Sequence, residues 1–136
     1  MRTVRTELLY RNQHLAISYN TVEDWLYVNW RGYQNYESVV SGCEKMLELM
    51  KERACFRILN NNTHVEGQWS TAAKWGAEVW FPAMRDAGLE WFAWVYSPSA
   101  FSRLSTDKMI SLTENPDFVQ VFDDMDLAKD WLRSMV

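Results

Sequence analysis

The sequence predicts a single α/β domain built on one mixed sheet, and three observations predict it. Short β-rich runs alternate with amphipathic helical stretches, the order that gives parallel strands and crossover helices. Two β-rich runs near the start are joined by a short polar turn, which predicts an antiparallel hairpin. No repeat, linker or low-complexity tract interrupts the 136 residues, so one domain is expected over 1–136.

The elements follow in order. Leu8, Leu9 and Tyr10 suggest an opening strand. His14 to Asn20 alternates, with Leu15, Ile17 and Tyr19 on one face, and Trp25 to Trp30 is strongly β; Gly32 is expected to end that hairpin. From Tyr36 to about Arg53 the period changes: Val39, Cys43, Met46, Leu47 and Met50 recur at helical steps, with Asn35 as N-cap. Phe56 to Leu59 is a short strand, followed by a polar loop from Asn60 to Ser70. Ser70 opens a second helix that carries Pro82 inside its pattern, so a kink or a division is expected there; Gly88 closes it.

Glu90 to Tyr96 is apolar almost throughout, as in a strand covered on both faces. Ala100 to Leu112 forms a shorter helix, Phe118 to Phe122 the last strand, and Asp124 caps a final helix with Leu127, Ala128, Trp131, Leu132 and Met135 along its buried stripe. About four helices result.

Composition narrows the function classes. Hydrophobic residues at 48% and charged residues at 24% are ordinary globular usage, which opposes disorder. A net charge of −4 gives no attraction to nucleic acid or anionic lipid. No apolar run approaches the ~20 residues that span a bilayer. The opening Met-Arg-Thr-Val-Arg-Thr-Glu has no apolar core after its arginines, so it does not read as a secretory signal, and the expected location is cytoplasmic. Cys43 and Cys55 lack metal-pair spacing and read as reduced core thiols. His14 and His64 are scattered, and Asp123, Asp124 and Asp126 sit where a helix start needs them, so neither metal nor cofactor is expected.

Several features together resemble the STAS fold, and in particular the SpoIIAA-like (STAS/SEC14-type) group of small bacterial proteins. They are a strand ending Trp30-Arg31-Gly32 before an amphipathic helix, a strand running into Asn60-Asn61-Asn62, a proline-bearing helix that ends Ala87-Gly88-Leu89, and a closing stretch from Phe122 to Leu132 with Asp123, Asp124, Ala128 and Trp131. They span residues 25 to 132. The resemblance implies a STAS-like mixed sheet and a non-catalytic binding or regulatory role, most of the group having no assigned function. Regulatory members resemble switches phosphorylated at a serine in an Asp-Ser pair. The nearest position here is Ser70, which follows Trp69 instead of an aspartate and has helix capping as its simpler role.

Candidate sites concentrate on the Asn60–Ser70 segment, which leaves the C-terminal end of a central strand, the usual place for ligands in open α/β sheets. Asn60, Asn62, His64 and Glu66 are the polar candidates. His64 and Glu66 would be a proton carrier and its partner, but no nucleophile with a signature of its own accompanies them, so no enzyme is expected. Eight tryptophans are unusual for this length, and each such ring buries on the order of 150–250 Å². Trp30, Trp80, Trp94 and Trp131 fit core stripes. Trp69, Trp75 and Phe81 fall off the stripe of the second helix, and Tyr33 and Tyr36 flank the loop before the first; exposed together they would form a partner surface or homodimer contact. An aromatic pocket near Tyr33, Trp69 and Trp75, carrying a small apolar or lipid-like ligand, is the alternative.

Overall fold

The computed structural model describes residues 5–135; the first four residues of the segment weighed above as a signal lie outside the described residues. Six strands form one sheet in the order β1 (Thr6–Arg11), β2 (Leu15–Asn20), β3 (Trp25–Tyr33), β4 (Arg57–Glu66), β5 (Trp91–Val95) and β6 (Val119–Phe122). β1, β2 and β3 are antiparallel, and β3 to β6 run parallel. The hairpin is in register from Leu15 opposite Trp30 to Asn20 opposite Trp25. Gly32, at φ +77°, does not end the strand as the sequence suggested; β3 runs on to Tyr33, paired with Glu66 of β4.

Each parallel step is bridged by helix. α1 (Tyr36–Arg53) joins β3 to β4, a helical stretch from Ser70 to Asp86 joins β4 to β5, and α4 (Ala100–Ser111) joins β5 to β6. Because the parallel strands follow one another in chain order, right-handed crossovers place all three on the same face. That face holds the main core: Ile17, Leu26, Val28, Trp30, Ile58, Phe92 and Trp94 of the sheet meet Met46 and Met50 of α1, Trp80, Phe81 and Met84, and Met109 of α4. α5 (Met125–Ser134) covers the opposite face, where Ala128 and Leu132 pack on Trp25, Leu59, Ala93 and Val95. Covering on both faces explains the unbroken apolar run of β5.

Local chemistry sets the helix ends. Asn35 and Ser38 form a reciprocal capping box on α1, Ser99 caps α4, and the Asp124 carboxylate accepts from the Leu127 N–H at the start of α5. In the second crossover, a 3-10 turn (Ser70–Ala72) leads into α2 (Ala73–Trp75), a wide π turn (Gly76–Trp80) and α3 (Phe81–Asp86). Pro82 has no N–H to return to the carbonyl four residues back, and the chain absorbs that gap by widening the preceding turn. The expected break at Pro82 is therefore a π turn in a continuous stretch. Trp80 fixes it by donating its Nε1–H to the Cys43 carbonyl of α1 at 2.7 Å.

Arg57 ties α5 to the sheet. The guanidinium is buried, gives Nη1 to the Glu23 carbonyl at 2.6 Å and gives Nη2 to the Leu132 carbonyl. It has no carboxylate partner among the described residues. Its charge is met by the carbonyl-rich C-terminal end of α5 and by the Trp25 ring, whose centre is 5.7 Å away.

Trp30 and Gly42 set how closely α1 approaches the sheet. A Cβ at position 42 would lie 2.3 Å from Trp30 Cη2 and 3.2 Å from Leu15 Cδ1. Gly42→Ala is therefore expected to lower stability by about 1–3 kcal/mol through overpacking, despite the better helix propensity of alanine. A fall in the urea midpoint with an unchanged denaturant slope checks this.

Candidate functional site

The Asn60–Ser70 segment is not a loop over most of its length. β4 extends to Glu66, and Asn60, Asn61 and Asn62 lie buried inside it. The strand holds them because the amides have partners within the fold. Asn60 Oδ1 accepts the Trp30 Nε1–H at 2.9 Å, and its Nδ2 lies 3.4 Å from Asn62 Oδ1. On the opposite face, Asn61 Nδ2 donates to the Tyr27 hydroxyl at 2.9 Å, while its Oδ1 accepts from the Thr63 backbone N–H at 3.0 Å. Satisfied buried amides cost little, and unsatisfied ones cost several kcal/mol. Turn propensity alone pointed to a loop because the partners come from another strand.

Asn60 and Asn62 consequently face no outside partner. They line a narrow cavity of about 30 Å³ under the main core face, with Trp30, Trp69, Trp80 and Trp94. Trp69 is buried and stacks on Trp94 at a ring separation of 6.0 Å, and its backbone N–H is held by Ser105 Oγ of α4 at 2.9 Å. The Trp94 Nε1–H is buried without a hydrogen-bond partner among the described residues. A cavity of this size accommodates a water molecule or two, well below the ~300–1,000 Å³ of ordinary small-molecule sites.

The expected cluster of off-stripe aromatics does not form. Phe81 is fully buried, edge-on to Phe92 and Phe118 at ring separations of 5.3 and 5.0 Å. Trp75 is half-buried against the same core, away from the cavity lining. The wide turn at Gly76–Trp80 shifts the helical phase, and Trp69 precedes the helix altogether, so a stripe drawn at constant pitch misplaces both. Of these five aromatics, Tyr33 and Tyr36 alone are exposed.

Another surface pair escaped the sequence reading. Phe101 and Leu104, three apart on the first turns of α4, are 66% and 65% exposed. The signal was present: Ser102, Ser105, Thr106 and Met109 are the buried stripe of α4, so small polar residues face inward and large apolar ones outward. This inversion of the usual amphipathic pattern is detectable only once the buried face is known.

These side chains flank one segment. The Tyr33 ring lies against Gly67, with Cδ1 2.9 Å from where a Cβ would be. On the other side, Ser97 Oγ donates to the Val65 carbonyl at 2.6 Å and α4 holds Trp69. His64 and Glu66 follow on β4, paired with Arg31 and Tyr33 of β3; both are exposed, and neither side chain has a hydrogen bond or ion pair among the described residues. Ser70 does not cap the following turn. Its hydroxyl and N–H both go to Gln68 Oε1, and Lys108 Nζ lies 3.4 Å from its carbonyl oxygen.

Burial dominates the two thiols. Cys43 and Cys55 are free and buried, and desolvation pushes both thiol pKa values up, that of Cys55 to about 12. Among the described residues, no three His, Cys, Asp or Glu side chains are gathered as a metal site, and no helix is long and apolar enough to cross a membrane.

Comparison with known proteins agrees with this architecture. No family model matches the chain, and no curated protein does. Among solved structures, it is similar to an uncharacterized DUF3478-family protein with a SpoIIAA-like fold from Shewanella loihica PV-4. The identity is 18%, the match covers 97% of this chain and 98% of that one, and the TM-score is 0.52. At that identity the likeness is one of fold, and the fold of this chain is SpoIIAA-like.

The thiols give a pH prediction. Cys55 ionises near 9.0 when unfolded and near 12 when folded. Its contribution to stability is present in full below pH 9 and is lost as the pH rises toward 12, because the unfolded chain releases its proton first. Urea midpoints should fall across that window. The fall should be smaller in Cys43→Ala/Cys55→Ala, and an aromatic disulfide reagent should label neither thiol until the protein unfolds.

Proposed function

We propose that this chain is a non-catalytic binding domain that works through protein contacts at the rim above Val65–Ser70. The carrying observation is the exposure of four large apolar side chains on the elements that adjoin that segment: Tyr33 of β3 at 72%, Tyr36 of α1 at 43%, and Phe101 and Leu104 of α4 at 66% and 65%. Exposed apolar side chains of that kind, on elements beside the exposed His64 and Glu66, have the composition of a contact surface: aromatic anchors with a polar surround. A SpoIIAA-like fold is compatible with such a role. His64 and Glu66 lack a neighbouring nucleophile and an enclosing cleft, which supports a contact role over a chemical one.

A second copy of the chain is the partner to test first. Tyr33→Ser combined with Phe101→Ser should leave the urea midpoint nearly unchanged, surface changes being worth within about 0.5 kcal/mol. Light scattering across a concentration series should show association of the parent chain and its loss in the double variant. Amide shifts that move with protein concentration should cluster at Tyr33, Tyr36, Phe101 and Leu104. A strict monomer with no concentration-dependent shift at these positions overturns self-contact through the rim.

The four-indole cavity supports a second reading, a carrier of a small apolar ligand. Trp94 offers an unpartnered donor beside the cavity, but a ligand would have to displace Trp69 to gain volume. Trp69→Ala should open the site and increase the uptake of an apolar fluorescent probe. Unchanged uptake removes this reading.

A further inference from the structure

The sheet ends in two unlike edges. β1 is blunted: a bulge lies between Leu8 and Tyr10, Glu7 is paired with Arg53 at 2.6 Å, and Arg11 is exposed on it. These are ordinary devices against strand pairing. β6 has none of them. Val119-Gln120-Val121-Phe122 carries no charge, no proline and no bulge, and Val119, Val121 and Phe122 are half-buried.

The direction of its free backbone groups follows from one bond. The Phe122 carbonyl accepts the Tyr96 N–H at 2.9 Å, so Phe122 turns its backbone toward the β5 side. Alternation then turns Val121 outward, with both its N–H and its carbonyl. Val119 faces outward too; its N–H is taken by the Pro116 carbonyl, leaving its carbonyl. Three backbone groups in a row therefore point away from the sheet with no hydrogen-bond partner among the described residues.

Charge surrounds this edge on both sides. Asp117 precedes β6, is exposed and has no ion pair among the described residues. Asp123, Asp124 and Asp126 follow it; only Asp123 meets a cation, Arg103, at 2.5 Å. In a two-fold antiparallel pair of β6 strands, Val119 would face Val121 and Asp117 would face Asp123, so a second copy brings like charges together. Self-pairing is opposed, and a strand with basic residues at its ends is favoured in either direction.

We propose that the outer edge of β6 is a docking site for an extended segment of a partner protein, added as a seventh strand. Its fitting chemistry is alternating apolar residues bounded by lysine or arginine at both ends. Main-chain bonds to Val119 and Val121 provide the binding, and Asp117 with Asp123–Asp126 selects the charge. This site is separate from the rim at Tyr33 and Phe101, so either can fail without the other.

The test uses the whole chain, labelled for amide NMR, and the peptide Lys-Lys-Val-Thr-Val-Thr-Val-Lys-Lys. Binding should shift the amides of Val119 to Phe122 and protect the Val121 N–H from exchange. The same peptide with glutamate for lysine should bind on the order of tenfold more weakly, the sum of two or three exposed ion pairs. Asp117→Lys, which breaks no contact among the described residues, should weaken the basic peptide about two- to fivefold. Val121→Pro should abolish binding by removing the outward N–H while sparing the bonds to β5. An unprotected Val121 N–H at saturation, equal affinity for the acidic peptide, or shifts confined to the rim each overturns the proposal.

Discussion

The Trp30 indole is the constraint on which most of this molecule depends. Its N–H is committed to Asn60 in the middle of β4, and its ring occupies the space that Gly42 leaves on α1. One side chain thus fixes the pairing of two parallel strands and the height of the first crossover helix. A buried indole donor needs an acceptor, and a buried amide needs its own partners; each removes the cost of the other. The narrow cavity beneath is bounded by the same residues, so its small volume follows from how tightly this contact draws α1 down.

The second crossover meets a different constraint with a different device. Pro82 interrupts the ladder of a helix that must still reach β5, and the chain responds with a wide turn instead of a break. Trp80 then reaches the Cys43 carbonyl, and Phe81 turns inward to the Phe92–Phe118 cluster. The proline therefore helps to place two of the largest rings of the core. α5 is held on the opposite face by Arg57, a buried cation whose two Nη groups are met by carbonyl groups instead of an ion pair.

Chemistry at the ends of the parallel strands is modest. His64 and Glu66 stand in solvent, Ser70 is bound to a neighbouring glutamine, and the thiols are held protonated by burial. What the surface offers instead is shape and apolar area at the rim, together with an unprotected strand edge ringed by carboxylates. Both are features that bind other chains, and both lie apart from the packed indoles that fill the interior.

The sequence by itself determined the alternation of strands and helices, the N-terminal hairpin, the capping of α1 and α5, the disturbance at Pro82 and the burial of β5 on both faces. These are local matters: side-chain period, cap chemistry and a missing N–H act within a few residues. Tertiary structure alone decided that Asn60, Asn61 and Asn62 belong to a strand, because their partners Trp30 and Tyr27 lie about thirty residues away. It also decided that Trp69 and Phe81 are core while Phe101 and Leu104 are surface. A wide turn changes helical phase, and the buried face of α4 is set by what packs on it, neither of which a constant period records. The one mixed-sheet domain was legible because periodicity carries it, whereas the exposed face was not, because exposure is what remains after everything else has packed.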